Sequence, residues 1–321
     1  RSCGSKGAIS TEENKKHARA SRGRLCLYGS VPLMTRLYSD KTSKEKYERW
    51  LLEEKYSGVA TAEYEADRKR LACGEPLGYV IGWQPFLGLK IYLDSKPLIP
   101  RPETEWETEQ LLNEIIGSEL VGRKMGVGLG PSNWSAPIFR PTSEHHFTFL
   151  DLCAGSGAIG CAALARLPHA QVYFGEIDLT HEKTILKNIR ENNLDASRAH
   201  IRIGDLFEPF KDMKFDIIAA NPPYVPSGRA LPASVADYEP TRALYAGTDG
   251  LDIIRRIAAD LPNHLAPSGT AWIECDTAHA TALHPTARRS VACAVFEAHG
   301  LSTTIRTDQY GKKRIIVVSF P

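Results

Sequence analysis

A chain of 321 residues, 42% hydrophobic and 24% charged, has the composition of a globular protein and can bury one large core or two smaller ones. Bulk disorder and a fibrous repeat are therefore excluded. Its formal charge of +2 lacks the basic excess of a protein that neutralises many phosphates of a long nucleic acid, so no stable nucleic-acid binding is expected. No apolar run approaches the roughly 18 residues that span a bilayer, and no membrane insertion is expected.

Residues 1–40 are basic. Arg1, Lys6, Lys15, Lys16, Arg19, Arg22, Arg24 and Arg36 face Glu12, Glu13 and Asp40, a local charge of +5. A basic leader with serines and no apolar core is unlike a secretory signal and suits an organelle transit segment; a plain basic tail is the alternative. From Thr42 to Cys73 the pattern turns helical, with Tyr47, Trp50 and Leu51 at i, i+3, i+4 and a second segment at Thr61–Leu71. Gly74-Glu75-Pro76 stops it. Tyr79–Ile99 reads as short strands and turns, and a helix follows Pro102 to about Ile116, with Glu103, Glu105 and Glu107 near its positive end. Residues 41–116 thus form a small helical domain with a hairpin. Residues 117–146, rich in Gly and Pro, read as a linker or insertion.

From residue 147 to 321 strands and helices alternate. Strands are predicted at Phe147–Cys153, Gln171–Ile177, His200–Ile203, Phe215–Ala220, Gly269–Cys275, Ser302–Thr307 and Arg314–Phe320. Helices are predicted at Ala158–Arg166, Thr180–Asn192, Leu251–Leu265 and about Thr281–His299. Alternation implies an α/β fold with a mainly parallel sheet covered on both faces. The last two strands lack a helix between them and should pair antiparallel. Seven such strands describe a Rossmann-like methyltransferase sheet better than a dinucleotide-binding one.

The seven cysteines (Cys3, Cys26, Cys73, Cys153, Cys161, Cys275 and Cys293) are scattered, with no C-x-x-C pair. That is neither a disulfide framework nor a zinc signature, and it fits a reducing compartment. His145 and His146 are adjacent but have no partner ligands nearby in the sequence; no metal is expected.

The run Asp151-Leu152-Cys153-Ala154-Gly155-Ser156-Gly157-Ala158-Ile159-Gly160 leaves the first strand of this region and opens a helix. Its glycines permit a tight turn and close ligand approach, and the helix start offers unpaired N–H groups. Glu176 ends the next strand, where a carboxylate would accept ribose hydroxyls. Together they point to a nucleoside cofactor, either a nicotinamide dinucleotide or S-adenosyl-L-methionine. Asp205, followed by Leu206 just past the third strand, suits the exocyclic amine and face of an adenine; a turn-stabilising Asp is the alternative. After the apolar strand Phe215–Ala220 comes Asn221-Pro222-Pro223-Tyr224. Asn221 and the Pro222 carbonyl offer two acceptors and Tyr224 an aromatic face, with Pro223 fixing the backbone. Such a set suits a planar –NH2 group whose two hydrogens are held so that its nitrogen lone pair meets an incoming methyl group. Asn221 and Tyr224 are the predicted catalytic residues.

Several segments resemble the HemK/PrmC family of protein-(glutamine-N) methyltransferases, which act on class 1 peptide-chain release factors in translation termination. They are Gly74-Glu75-Pro76-Leu77-Gly78-Tyr79-Val80-Ile81-Gly82, Leu98-Ile99-Pro100-Arg101-Pro102-Glu103-Thr104-Glu105, the Asp151 glycine loop, Asn221–Tyr224 and Tyr238-Glu239-Pro240. The resemblance implies a seven-stranded class I methyltransferase sheet over 147–321, a front domain that holds the release factor, and S-adenosyl-L-methionine as cofactor. It further implies a substrate glutamine in a Gly-Gly-Gln loop. The residues expected to hold the cofactor are Asp151, Cys153, Ala154, Gly155, Ser156, Gly157, Glu176, Asp205, Leu206 and Asn221. Those expected to hold the substrate are Asn221, Pro222, Pro223 and Tyr224. Cys153 stands where the family usually has Gly, and Ile273–Asp276 replaces a stretch that usually contains Gly. The bacterial-type front domain turns the leader reading towards a mitochondrial transit segment, with a cytoplasmic protein as the alternative. Adenine methylation of DNA or RNA, a silent ribosome-associated binding module and a nicotinamide oxidoreductase are the competing readings.

Overall fold

A computed structural model describes residues 41–124, 147–284 and 289–321. The basic leader, His145 and His146, and the larger part of the predicted linker lie outside the described residues. The described residues open with three helices. Helix α1 (Lys41–Tyr56) turns Tyr47 and Leu51, one turn apart, inward. Helix α2 (Ala62–Ala72) is capped by Thr61, whose hydroxyl accepts from Tyr64 N at 3.2 Å. Helix α3 (Leu77–Ile81) begins after Pro76 and closes on Gly82 at φ 95°, a left-handed position that glycine occupies without steric cost. The sequence pattern predicts no helix there, because five residues show less than two turns of periodicity. Tyr47, Leu51, Tyr64, Leu71 and Val80 form the small core of these helices. Asp67 is buried within them and accepts from Lys55, Tyr56 and Arg70 at 2.6–2.7 Å.

Strands β1 (Trp83–Phe86) and β2 (Leu89–Tyr92) form an antiparallel hairpin. Helix α4 (Pro102–Lys124) runs past the end predicted at Ile116; a single Gly117 lowers helix propensity without ending it. Phe86 and Ile91 of the hairpin and Leu111, Leu112 and Ile115 of α4 share one core with Phe149, Phe174 and Ile185. The hairpin and α4 therefore pack on the sheet.

The sheet contains β3 (Thr148–Leu152), β4 (Gln171–Glu176), β5 (Ala199–Ile203), β6 (Phe215–Ala220), β7 (Leu265–Glu274), β8 (Ser302–Thr307) and β9 (Lys313–Ser319). Its order is β5-β4-β3-β6-β7-β9-β8. The first five strands are parallel to one another, and β9 is antiparallel to both β7 and β8. This is the seven-stranded Rossmann-like class I methyltransferase sheet, with the expected terminal hairpin. Period-two alternation splits its side chains between two layers. Phe149, Ile217, Ala219 and Trp272 pack against α5 (Ala158–Arg166) and α6 (Glu182–Glu191) on one face. Leu150, Leu152, Ile218 and Ala220 pack on the other against Ile254, Ile257 and Leu261. A short helix, α7 (Ala233–Ala236), lies in the loop after β6, and Ile254, Ile257 and Leu261 belong to α8 (Asp252–His264). The helix predicted over about Thr281–His299 is met only in part: α9 (Thr277–Thr281), capped by Asp276, ends where it was to begin, and α10 (Val291–Glu297), capped by Ser290, lies inside it. The strand order reverses between β3 and β6, which opens a crevice at the carboxyl ends of these strands.

Candidate active site

Three loops at that crevice carry the predicted residues. The first follows β3. Cys153 adopts φ 62°, and Gly155 and Gly157 follow at φ 55° and 75°. Cys153 therefore occupies a left-handed backbone position that a glycine would take at no steric cost, which is the physical meaning of the departure from the family pattern. Desolvation and the nearby Glu176 and Asp151 carboxyls push its thiol pKa up, which disfavours the thiolate. Gly160 is required for packing: a Cβ there would lie 2.2 Å from Phe174 Cε1. Its N–H donates to Asp151 Oδ2 at 2.8 Å. Asp151 is buried, its Oδ1 has no partner, and desolvation pushes its pKa up to about 8. Ala154 and Ser156 are buried in the same turn.

Glu176 ends β4 and is 6% exposed. Its Oε2 accepts from Gly155 N at 2.7 Å and its Oε1 from Asp178 N at 2.8 Å. The carboxylate thus shapes the glycine loop, a role the sequence pattern did not reveal, while each oxygen keeps a lone pair for a further donor. Asp205 follows β5 and accepts from Arg256 Nη2 at 2.8 Å. Leu206 has φ 49° and is buried among Phe207, Phe210 and Phe215. A left-handed glycine loop, an acceptor carboxylate beside it and an orphaned buried carboxyl oxygen fit a nucleoside cofactor with an amino-acid end.

The second group lies at the end of β6. Asn221 Nδ2 donates to Thr104 Oγ1 at 2.9 Å, and Thr104 Oγ1 donates to Glu274 Oε2 at 2.6 Å. Tyr224 donates its hydroxyl to Glu274 Oε1 at 3.0 Å. Pro222 is buried, and Pro223 is half-buried. Thr104 comes from the first turn of α4 and Glu274 from the end of β7, next to β6 in the sheet. Sequence reasoning missed both. Thr104 lay inside the Leu98–Glu105 segment, and Glu274 stood one residue before the end of the strand predicted over Gly269–Cys275, the signals that were available.

The third group ties the front of the chain to the loop after Tyr224. Glu239 Oε1 accepts from Arg101 Nη2 at 2.7 Å and Oε2 from Ile99 N at 3.3 Å. Tyr238 donates its hydroxyl to the Cys73 carbonyl at 3.0 Å. A cavity of about 520 Å³ opens between these parts, lined by Asn221, Pro222 and Tyr224 on the sheet side and by Tyr47, Leu71 and Glu75 on the helical side.

The family described as "Methyltransferase small domain" matches residues 139–237. A release factor glutamine methyltransferase of Geobacter sulfurreducens is 34% identical over 71% of this chain and 70% of its own length. A ribosomal protein uL3 glutamine methyltransferase of Bradyrhizobium diazoefficiens is 32% identical over 63% of this chain and 57% of its own. Among solved structures, the hMettl16 catalytic domain in complex with MAT2A 3'UTR hairpin 1 is similar at TM-score 0.49 and 14% identity, covering 91% of this chain and 96% of that one.

Proposed function

The chain belongs to the release factor glutamine methyltransferase family, and from that premise we propose that it methylates the side-chain amide nitrogen of the glutamine in the Gly-Gly-Gln loop of a class 1 peptide-chain release factor. The methyl donor is S-adenosyl-L-methionine, which supplies an electrophilic methyl group on a sulfonium. Asp151, Cys153, Ala154, Gly155, Ser156, Gly157, Glu176, Asp205, Leu206 and Asn221 would hold it.

The observation that carries the reading is the Asn221 amide. Its nitrogen is spent on Thr104, which leaves Oδ1 to accept a hydrogen from a substrate –NH2 group. The Pro222 carbonyl accepts the second hydrogen, and the half-buried Tyr224 ring lies alongside. A primary amide nitrogen is a poor nucleophile because its lone pair is delocalised. Holding both hydrogens orients that lone pair and lets the nitrogen pyramidalise, and orientation of this kind can supply up to roughly 7–11 kcal/mol. The cavity beside Asn221 admits a glutamine-bearing loop from the helical side.

The test is incubation with labelled S-adenosyl-L-methionine and, separately, a release factor, the same factor with its loop glutamine replaced, ribosomal protein uL3, and nucleic acid. Label on the intact factor and none on the replaced one is expected. Label on nucleic acid alone overturns the reading. The uL3 arm is included because a relative bears that substrate in its name; label there alone would redirect the reading to a ribosomal glutamine. The mitochondrial location is likewise a proposal, supported by the +5 charge of residues 1–40. A fluorescent reporter fused to those residues should enter mitochondria, and a diffuse signal would return the protein to the cytoplasm.

A further inference from the structure

We propose that Thr104 and Glu274 are positioning residues that lock the Asn221 amide in one of its two flips, with the oxygen turned to the substrate. The proposal rests on the reading of Asn221 as the acceptor of a substrate –NH2 hydrogen, and it explains how that acceptor is kept from presenting a donor instead.

An asparagine amide offers an oxygen and an NH2 group of nearly equal shape, so only its hydrogen-bond partners decide which faces a ligand. Packing cannot make the choice. A flipped Asn221 would point two hydrogens at the two hydrogens of a substrate amide, and binding would fail. Thr104 has one hydroxyl hydrogen. Its Oγ1 lies 2.6 Å from Glu274 Oε2 and 2.9 Å from Asn221 Nδ2. An ionised carboxylate can only accept, so the threonine hydrogen goes to Glu274. Thr104 must then accept from Asn221, which can donate only through its NH2 group. The polarity of Glu274 is thereby passed through Thr104 to Asn221.

The same carboxylate accepts the Tyr224 hydroxyl on its other oxygen at 3.0 Å. One buried side chain therefore orients both substrate-facing groups of the Asn221–Tyr224 turn. Burial raises the pKa of Glu274, and the Thr104 hydroxyl, the Arg314 guanidinium at 4.0 Å and the Tyr224 hydroxyl oppose that rise by favouring its ionised form. The neighbouring Glu107 is also buried, and burial raises its pKa well above the usual carboxylate range. Glu107 is raised further than Glu274, which alone of the two has hydroxyl donors, so Glu274 is the first of the pair to ionise. Thr104 is itself fixed: it is 4% exposed, and its carbonyl accepts the Thr108 hydroxyl at 2.7 Å.

Three variants test the lock. Thr104→Val removes the hydroxyl at similar volume, Thr104→Ser keeps it, and Glu274→Gln puts a donor where two hydroxyls need an acceptor. The direct readout needs neither cofactor nor substrate: the solvent-exchange rate of the Asn221 side-chain NH2 by NMR, its signal assigned by its loss in Asn221→Ala. Exchange should quicken by at least about 10-fold in Thr104→Val and return near the wild-type rate in Thr104→Ser, since a lost hydrogen bond of about 1.4 kcal/mol is a factor of ten. Turnover on a glutamine substrate should fall about 10- to 100-fold in Thr104→Val and Glu274→Gln at unchanged cofactor Kd. Combined with Asn221→Ala, either change should add little further loss. Unchanged Asn221 exchange in both Thr104→Val and Glu274→Gln overturns the lock, as does a serine variant no better than valine. If the wild type methylates no glutamine yet the exchange pattern holds, the lock stands and the functional reading falls.

Discussion

Arg101 and Glu239 are 138 residues apart in the chain, and their side chains meet at 2.7 Å. Glu239 is 1% exposed and Arg101 29%, so the pair lies largely out of water at the seam between the entry to α4 and the loop after Tyr224. Its second oxygen holds Ile99 N, which fixes the backbone leading to Thr104. The ion pair thus sets where α4 begins relative to Asn221.

Removing one partner of a largely buried pair leaves the other uncompensated. Arg101→Ala should destabilise the protein by about 3 kcal/mol, read as a lower midpoint at unchanged slope in urea unfolding. Arg101→Lys should recover only part of this, because an ammonium lacks the planar fork of the guanidinium. Equal stability of the alanine variant and the wild type would show that the pair contributes nothing to this seam.

Asn221→Ala should reduce turnover by at least about 100-fold, the usual cost of deleting one placed hydrogen-bond partner of a reacting group. Cofactor affinity measured by calorimetry should change much less. A variant that keeps most of its turnover would remove Asn221 from the chemistry.

Glu176→Ala should weaken cofactor binding by about 10-fold or more, since a charge-assisted hydrogen bond is worth roughly 1.5–3 kcal/mol. The structure adds an effect on the fold. The carboxylate also accepts from Gly155 N and Asp178 N, so the variant should melt at a lower temperature even without cofactor. Calorimetric titration and thermal unfolding of the same sample separate the two effects, and an unchanged dissociation constant would place the ribose elsewhere.

Asp151 makes a prediction about pH. Burial pushes its pKa up to about 8 from an ordinary 3.8. Between those values the folded chain keeps a proton that the unfolded chain has released, so the folded state loses stability as pH rises through this window. Asp151→Asn keeps an acceptor for the Gly160 N–H and does not titrate. The melting temperature of the variant should therefore gain on the wild type from about pH 5 to pH 8, at up to about 1.4 kcal/mol per pH unit. Parallel pH profiles for the two proteins would mean that Asp151 is ionised throughout.

What the sequence alone determined is local. Short strand-like runs alternating with helical ones located all seven strands of the sheet, because central strands covered on both faces bury nearly every side chain. The Asn221-Pro222-Pro223-Tyr224 turn and the Asp151 glycine loop were legible because their chemistry sits in consecutive residues. Local signals also misplaced elements: α3 is too short to show a period, Gly117 did not end α4, and inside the span read as a helix over Thr281–His299 the helix starts only after the Ser290 cap. The partners of the site were decided by tertiary structure. Thr104 and Glu274 are 170 residues apart, and Thr104 and Asn221 are 117 apart. Nothing in either neighbourhood encodes their meeting. It follows from β7 lying beside β6 and from α4 packing its first turn onto their carboxyl ends, an arrangement fixed by how the two layers of core fill. The residue types of the site could be read one by one, but the direction in which Asn221 presents its amide depends on a hydrogen-bond chain that exists only after the sheet has closed.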